Sequence, residues 1–204
     1  MNEATPSPVE IRRLWPSDKE LFRDHLLRLD PRSRHLRFGG GMSDEFLVHY
    51  AENCFGKGDL VYGAFIDGAM IGAAELRSNQ PIWSEQARFG RHIHAEAAFS
   101  VEEGHRRRGI GEKLFKRILR AAANHGVETI EIVCLPENVG MQNLAKKFET
   151  HFTFEENSLI GRLTVRQPTA LSLMREASAD AADFGAALFD SRWRAAPEAR
   201  EKRV

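Results

Sequence analysis

The sequence predicts a mixed α/β domain built around one central sheet, and three stretches carry that prediction. Two apolar runs, Leu60–Ile66 and Ala69–Leu76, flank the dipeptide Asp67-Gly68, which is a strong signal for a β-hairpin. Ile93–Val101 has the pattern of a strand and leads into an amphipathic helix. Thr129–Leu135 is short and nearly all apolar, as expected of a strand in the middle of a sheet. Strands that alternate with helices are typical of a layered α/β fold.

The remaining elements are predicted from periodicity and capping signals. Val9–Leu14 is expected to be the first strand. Ser17 and Glu20 have the spacing of a capping box at the start of a helix, and Ser43 is placed to cap a second helix. The first helix is predicted to bury Phe22, Leu26 and Leu29, and the second Phe46, Leu47, Tyr50 and Ala51.

Further along the chain, the helix after the third long strand is expected between Gly109 and His125, with Gly126 ending it. Asn138–Phe148 is predicted as the last helix of the domain. Two closing strands, Phe152–Glu155 and Leu159–Val165, are predicted around Glu156-Asn157. Two stretches are predicted as loops: residues 31–41, PRSRHLRFGGG, and residues 77–92.

The domain is predicted to cover residues 1–167. Residues 168–204 are predicted to add an amphipathic helix, with an apolar face, and a charged, disordered tail that starts at about residue 194. The apolar residues of that helix are Leu171, Leu173, Met174 and Ala177.

Composition indicates an ordinary globular protein. Of the 204 residues 42% are hydrophobic, and 29 acidic residues balance 29 basic ones, which argues against a nucleic-acid partner. No signal peptide and no apolar run of membrane-spanning length is found, so a cytoplasmic location without a membrane partner is expected. Cys54 and Cys134 form no CxxC pair, and the spacing of His92, His94 and His105 does not place three ligands on one face, so no metal site is predicted.

Residues 106–111, with the sequence RRRGIG, stand between a strand and a helix. Glycines allow close approach of a ligand to the backbone, and the first turn of the helix offers unpaired N–H groups in a positive field. This arrangement predicts an anion site, for which a phosphate or pyrophosphate is the natural ligand. The patterns GxxxxGK[ST] and GxGxxG are both absent, which argues against nucleoside triphosphates and dinucleotides.

The pattern R-x-x-G-x-G, here Arg106 to Gly111, resembles the CoA-binding motif of the GNAT superfamily of N-acetyltransferases. The later segment LPENVGMQNLAKKF is similar to the family's N-x-x-(small or Met)-x-x-L-x-x-K, with Asn138 as its first residue. The resemblance implies a mostly antiparallel sheet that splays at a CoA cleft, with helices on both faces. It also implies that acetyl-CoA is the acyl donor. The residues expected to contact it are Phe99, Ser100 and Val101 through the backbone, the turn residues Arg106, Arg107, Arg108, Gly109, Ile110 and Gly111, and Asn138, which is alternatively a helix N-cap.

The same resemblance implies direct attack of a primary amine on the thioester in a ternary complex, with Glu96 as the catalytic base. An ion pair between Glu96 and a nearby arginine or histidine is the alternative, and His94 lies on the same strand face. Many family members carry a tyrosine seven residues after the asparagine as the general acid. Here that position is Ala145, which has no proton to donate.

Three functions therefore stay open. The first is an N-acetyltransferase acting on a small amine or on a protein lysine or N-terminus. The second is a non-catalytic acyl-CoA-binding regulatory module, which the absence of the tyrosine favours, and the third is a nucleotide-binding protein. A homodimer contact through the C-terminal helix is a further possibility, because an amphipathic helix outside the core needs a partner.

Overall fold

The computed structural model describes residues 8–56, 58–78 and 93–201. Within these residues, seven strands form one open sheet in the order β1-β2-β3-β4-β5-β7-β6. Every neighbouring pair is antiparallel except β4 and β5, which are parallel. The mixed α/β architecture predicted from the sequence is confirmed. The strands are β1 (Glu10–Leu14), β2 (Leu60–Ile66), β3 (Ala69–Arg77), β4 (Ile93–Val101), β5 (Val127–Cys134), β6 (His151–Glu155) and β7 (Ser158–Thr164).

Helices cover both faces of the sheet. The described part of the chain holds α1 (Lys19–Arg28), α2 (Pro31–Phe38), α3 (Asp44–Asn53), α4 (Ile110–Asn124), α5 (Val139–Lys146) and α6 (Ala170–Glu201). None of these helices is long and apolar enough to cross a bilayer. The loop predicted over residues 77–92 lies outside the described residues, apart from Arg77, which ends β3, and Ser78.

Each face of the sheet has its own hydrophobic core. On one face α4 packs on the central strands, with Leu114, Phe115 and Ile118 fully buried. On the other face α1 and α3 pack on β2 and β3 through buried apolar side chains that include Phe22 and Leu26. The predicted inward faces of these helices are confirmed except for Phe46, which is 42% exposed.

The two hairpins form at the predicted dipeptides. Asp67 and Gly68 both have positive φ (49° and 79°), as do Glu156 and Asn157 (45° and 69°). Two consecutive residues in the left-handed region give a two-residue turn whose twist matches the flanking strands. The register of β2 on β3 and of β6 on β7 follows from these turns.

The prediction of a loop over residues 31–41 is wrong for its first part, because Pro31–Phe38 is helix α2. Asp30 caps it by accepting a hydrogen bond from the Ser33 N–H at 2.9 Å, and Pro31 occupies the first turn. Gly39 then ends the helix in the left-handed conformation, with φ of 76°. The helix places Leu36 and Arg37 beside the sheet, where they border the cleft described below.

The predicted capping box at Ser17 is also not observed. Pro16–Asp18 forms a short 3-10 turn, and Asp18 occupies the N-cap of α1 without a side-chain bond to that helix. Its buried carboxylate accepts hydrogen bonds from Arg12 at 2.9 and 3.1 Å and from the Trp15 N–H at 3.1 Å. Asp18 therefore ties the start of α1 to β1.

Helix α6, predicted as amphipathic, packs beside β1 and α4 with the predicted apolar residues on its outer side. Leu171, Leu173, Met174 and Ala177 are all exposed, whereas Glu176 is 5% exposed and Ala187 is fully buried. The backbone of α6 continues through residues 194–201, the stretch predicted to be disordered. The division into a domain over residues 1–167 and an extension after it stays a prediction.

Candidate functional site

The cleft of this protein lies where β4 and β5 separate. The two strands pair only over the first part of β4, from Ile93 opposite Val127 to Glu96 opposite Glu131. Beyond Glu96 the backbone of Ala97–Val101 pairs with β3 alone. Hydrogen-bonding groups on the open side of β4 are therefore available to a ligand, and the parallel geometry is confined to the closed end.

The cleft between β4 and β5 contains two adjoining cavities. The larger, of about 690 Å³, extends from Phe99 past the glycine turn to α5, and the smaller, of about 410 Å³, extends from Glu96 toward the end of α2. Nine of the ten residues predicted to bind the cofactor line the larger cavity, and Glu96 lines the smaller one. The nine are Phe99, Ser100, Val101, Arg106, Arg107, Gly109, Ile110, Gly111 and Asn138.

The glycine turn has the backbone geometry of an anion site. Gly109 is the N-cap of α4 and has φ of 77°, a conformation that favours glycine because no Cβ interferes. The first backbone amide of α4 that reaches an acceptor within the helix is that of Lys113, which donates to the Gly109 carbonyl at 3.1 Å. The amides of Ile110, Gly111 and Glu112 precede it and are the unpaired donors of the first turn.

Gly111 has a second, structural reason to be glycine. A Cβ at this position would lie 3.1 Å from Cδ2 of Leu144, so the first turn of α4 sits directly against α5. At Gly109, in contrast, a Cβ would meet nothing within 4 Å. Conformation is therefore the constraint at Gly109, and space is the constraint at Gly111.

The three consecutive arginines have different surroundings. Arg106 is held by the fold: its Nε donates to the Val101 carbonyl at 3.0 Å, and its Nη2 donates to the Ser33 hydroxyl at the start of α2. Arg107 is exposed and lines the larger cavity, with φ of 58°. Arg108 is exposed, and its Nη1 lies 3.5 Å from Nδ1 of His105. Of the three, Arg107 is the side chain best placed to meet an anion at the turn.

Asn138 has the cap role that the sequence allowed. Its Oδ1 accepts from the Met141 N–H at 3.1 Å, and its Nδ2 donates to the Leu36 carbonyl at 3.3 Å. The side chain thus joins α5 to α2 across the cleft. A contact with a ligand at this position stays a prediction.

Ser100 belongs to a buried hydrogen-bond network that the sequence did not indicate. His25, on α1 and fully buried, places Nε2 2.9 Å from the Ser100 hydroxyl and Nδ1 3.1 Å from the Glu102 carboxylate. Arg28 also donates to Glu102 at 3.0 Å. Burial lowers the pKa of His25, although Glu102 acts in the opposite direction, so the ring is neutral at pH 7. These hydrogen bonds, called the His25 clamp below, hold α1 against β4, the strand that lines the cleft.

We expect the His25 clamp to make stability depend on pH. Because the pKa of His25 is lower in the folded than in the unfolded chain, the unfolded chain binds more protons below a pH of about 6.5. The free energy of unfolding should therefore fall with decreasing pH, by up to about 1.4 kcal/mol per pH unit from this residue. In His25→Gln, the unfolding free energy measured in urea titrations should fall less between pH 6.5 and pH 5.5 than it does in the wild type.

The matched control for His25→Gln is His151→Gln, which changes an exposed histidine on β6. In this control the unfolding free energy should depend on pH as it does in the wild type. His125 is half-buried by comparison and also has a lowered pKa, from burial first and then from Arg13. A residual slope is therefore expected in His25→Gln. An unchanged slope in that variant would show that protonation of His25 is not coupled to unfolding.

Glu96 is exposed and faces the smaller cavity. Its carboxylate has no hydrogen bond or ion pair within the described residues, so the alternative of a structural ion pair finds no support there. Glu131, its register partner on β5, accepts instead from Arg162 at 2.6 Å. His94, two residues earlier, is exposed on the same strand face.

A buried charged cluster that the sequence analysis missed borders the same cavity. Glu75 on β3 is 1% exposed and accepts from Arg37 Nη2 at 2.6 Å and from the Tyr50 hydroxyl at 2.8 Å. Arg77 Nη2 lies 3.2 Å from the carboxylate, and Cys54 Sγ donates to it at 3.6 Å. Burial alone would raise the pKa of Glu75, but the two guanidinium groups outweigh it and hold the pKa below its usual range.

In this cluster Arg37, Arg77 and Glu75 surround the side chain of Tyr50. Burial, and then the charge of Glu75, raise the pKa of Tyr50. The same two causes raise the pKa of Cys54. Both groups are therefore neutral hydrogen-bond donors at pH 7.

Ala145 lies fully buried on α5 and packs in the core, so its position supplies no acid to the cleft. Among the described residues no group of three His, Cys, Asp or Glu side chains is arranged to hold a metal ion. His92, one of the three histidines considered from the sequence, lies outside the described residues.

Comparison with known proteins gives the fold and the family. The GNAT domain of PAT from S. lividans superposes with a TM-score of 0.63 at 18% identity, covering 76% of this chain and 90% of that one. A putative acetyltransferase from Salmonella typhimurium, solved with its cofactor acetyl-CoA, superposes at 0.55 with 15% identity, covering 79% and 96%. A mutant of a cAMP-binding acyltransferase from Mycobacterium smegmatis gives 0.54 at 18% identity, covering 88% of this chain but 52% of that one.

A search of curated proteins by sequence finds no match. The profile described as the Acetyltransferase (GNAT) family matches residues 23–149, more than half of the chain. This range includes the splayed strands, the glycine turn and α5, and it agrees with the resemblance seen in the sequence. The chain belongs to the GNAT family of acetyltransferases.

Proposed function

We propose that this protein is an N-acetyltransferase that moves an acetyl group from acetyl-CoA to a primary amine by direct attack in a ternary complex. The observation that carries the proposal is the position of Glu96, an exposed carboxylate that has no partner among the described residues and lies on the strand that leads to the glycine turn. It stands at one end of a continuous opening whose other end is the anion site at the start of α4.

Acetyl-CoA is proposed as the donor substrate, with its pyrophosphate at the first turn of α4. The unpaired amides of Ile110 and Gly111, the positive end of the helix and the guanidinium of Arg107 fit two phosphate groups there. The acyl-bearing arm would then follow the open edge of β4 toward Ala97, pairing with backbone groups that β5 leaves free. The relative solved with acetyl-CoA supports this assignment, since it shares the fold.

In the proposed reaction the amine nitrogen attacks the thioester carbonyl carbon and the carbon–sulfur bond breaks. The amine must lose a proton to attack, and Glu96 is proposed to accept it, directly or through one water. Backbone N–H groups on the open edge of β4 are suited to stabilise the oxyanion. The CoA thiolate takes its proton from water, because Ala145 cannot supply one. The acceptor is proposed to be a small amine or a protein lysine or N-terminus.

Replacing the proposed base should separate catalysis from binding. We expect Glu96→Gln to lower kcat about a hundredfold while the Kd for CoA stays unchanged, since the amide keeps the shape but accepts no proton. Thiol release from acetyl-CoA, measured with a panel of amines, gives kcat, and calorimetry gives the Kd. Glu131→Gln is the matched control, because this glutamate is the register partner of Glu96 but pairs with Arg162.

An acyl-CoA-binding regulatory module is the second candidate, and buried Ala145 is the observation that favours it. Such a protein would bind CoA but release no thiol above background with any amine, and Glu96→Gln would change nothing. That pair of results would overturn the enzymatic proposal and leave the anion site in place. Tighter binding of ATP than of acetyl-CoA would overturn the assignment of the donor.

A further inference from the structure

Helix α6 is inverted relative to an ordinary surface helix: it turns its acidic side chains toward the protein and its apolar ones toward solvent. Arg117 of α4 donates two hydrogen bonds of 2.6 Å to the buried Glu176 carboxylate, and Tyr62 and Asn124 contact the same group at 3.3 and 3.4 Å. Asp180 pairs with Arg13 of β1 at 2.5 Å. Helix α6 is thus held firmly through a charged inner face.

The outer face of α6 is apolar and exposed. Large side chains stand at 42–70% exposure along it, and small residues separate them. Between residues 171 and 188 this face carries no charged residue; Arg175 lies at its border. A charge-free helix face of five turns is unusual on a protein surface, since solvent-exposed helix faces normally carry charges. The face comprises Leu171, Leu173, Met174, Ala177, Ser178, Ala181, Phe184, Gly185 and Leu188, and is called the α6 face below.

We propose that the α6 face is a dimer interface, and that its partner is the α6 face of a second copy of this chain. Two such helices crossing antiparallel about a two-fold axis at Ala181 place small residues together at the centre and large ones together toward the ends. Ala181 then faces its own copy, Phe184 faces Ala177 of the second copy, and Met174 faces Leu188. Self-complementarity of this kind is the requirement for a two-fold symmetric interface.

Area and charge both favour a second copy. The α6 face exposes five large apolar side chains over five helical turns, and specific interfaces bury roughly 800 Å² per partner. Trp15 lies edge-on to Phe184, with ring centroids 5.2 Å apart, and widens the apolar surface. The formal net charge of zero means that two copies do not repel one another. A membrane surface fits less well, because helices that lie on bilayers carry lysines and arginines along the polar face, and here that face is acidic.

The close approach at the centre has direct structural support. Gly185 is exposed, and a Cβ added there would meet nothing within 4 Å, so its space opens outward rather than toward the fold. Gly185 would oppose Ser178 of the second copy in the proposed register. Small residues at these positions let two helix backbones come within the shorter range of packing distances.

A charge-swap experiment at the two-fold axis tests the proposal. Sedimentation of the full chain between 1 and 100 µM should give a dimer with a Kd of about a micromolar. Ala181→Glu and Ala181→Arg should each be monomers at 23.1 kDa, because two like charges then face each other across the axis. An equimolar mixture of the two variants should restore the dimer, which a misfolded helix could not do.

Two controls complete the design. Phe154→Glu changes an equally apolar residue, 64% exposed, on the distant edge strand β6 and should stay a dimer. Ala181→Cys should form a disulfide-linked dimer on oxidation, whereas Phe154→Cys should not. A monomeric wild-type chain at 100 µM would overturn the proposal and assign the α6 face to another partner. A dimer that survives Ala181→Glu would overturn it as well, by placing the interface elsewhere.

Discussion

Replacing Gly109 with valine is expected to weaken acetyl-CoA binding about a thousandfold while the protein stays folded. Gly109 has φ of 77°, and a β-branched residue cannot keep that conformation without strain of about 1–3 kcal/mol. Relief of the strain would rotate the turn and misdirect the first amides of α4. Each amide-to-phosphate hydrogen bond contributes about 1.5–3 kcal/mol, so the loss of two corresponds to about three powers of ten in Kd.

Gly109 is a cleaner test of the anion site than Gly111. A side chain at Gly111 would press on Leu144, 3.1 Å from the added Cβ, and would disturb the packing of α4 on α5 as well as any ligand. At Gly109 the added atoms meet nothing within 4 Å, so the hydrophobic core is not involved. Calorimetric titration of acetyl-CoA, with circular dichroism to verify the fold, measures the effect.

The control for Gly109→Val is Gly104→Ala, five residues earlier in the same segment. Gly104 has no positive φ, and a Cβ there also meets nothing within 4 Å, so its affinity for acetyl-CoA should match that of the wild type. If Gly109→Val bound acetyl-CoA as tightly as Gly104→Ala does, the pyrophosphate would have to bind elsewhere. The proposed location of the donor would then be wrong.

Local sequence signals predicted the strands, the hairpins and α4 because these elements depend on neighbouring residues. Alternating or continuous apolar runs, the turn dipeptides and the four-residue repeat of Ile110, Leu114 and Ile118 all act within a few positions. The glycine turn belongs to the same class, since a left-handed glycine before an amphipathic helix is a local feature. The position of the glycine turn at the start of α4 could therefore be predicted from the sequence alone.

Helix α2 was missed although a local signal existed. Asp30-Pro31 combines a preferred N-cap residue with proline in the first turn, and Gly39 is a common C-terminal stop. The arginines and glycines of the stretch concealed this pattern because they also suit an exposed loop. The error mattered for the site, since α2 brings Arg37 to Glu75.

Contacts between distant segments were beyond the reach of sequence patterns. The His25–Ser100 pair joins residues 75 positions apart, and the Arg117–Glu176 pair joins residues 59 apart. The apolar residues of α6 predict an amphipathic helix, but they do not indicate which face packs on the domain. Ion pairs of Glu176 with Arg117 and of Asp180 with Arg13 fix that orientation. Glu75 offered one clue: it is the single charged residue in the run Ala69–Leu76, and a lone buried charge requires a partner.

Removing the Glu75 carboxylate is expected to cost about 3–5 kcal/mol of unfolding free energy. In Glu75→Ala the buried guanidinium of Arg37 loses its anion, and the Tyr50 hydroxyl loses its acceptor. Arg77, about one-third exposed, can turn toward water, but Arg37 at 11% exposure cannot. The cost is therefore that of an uncompensated buried cation rather than of one lost hydrogen bond. Urea unfolding of wild type and variant measures the difference.

Glu155→Ala is the matched control for Glu75→Ala. Its ion pair with Arg162 at 3.2 Å is exposed on both sides, so its removal should change stability far less than the removal of Glu75. The dependence of stability on pH provides a second test of the role of Glu75. Because the folded pKa of Glu75 lies below the usual value of 4.5, its contribution is complete above that pH and is lost as the pH falls toward the folded pKa. Stability should thus drop more steeply below pH 4.5 in the wild type than in Glu75→Ala. Equal slopes, or a loss no larger than that of Glu155→Ala, would mean that Arg37 finds another counter-charge and that the cluster does not hold α2 against the sheet.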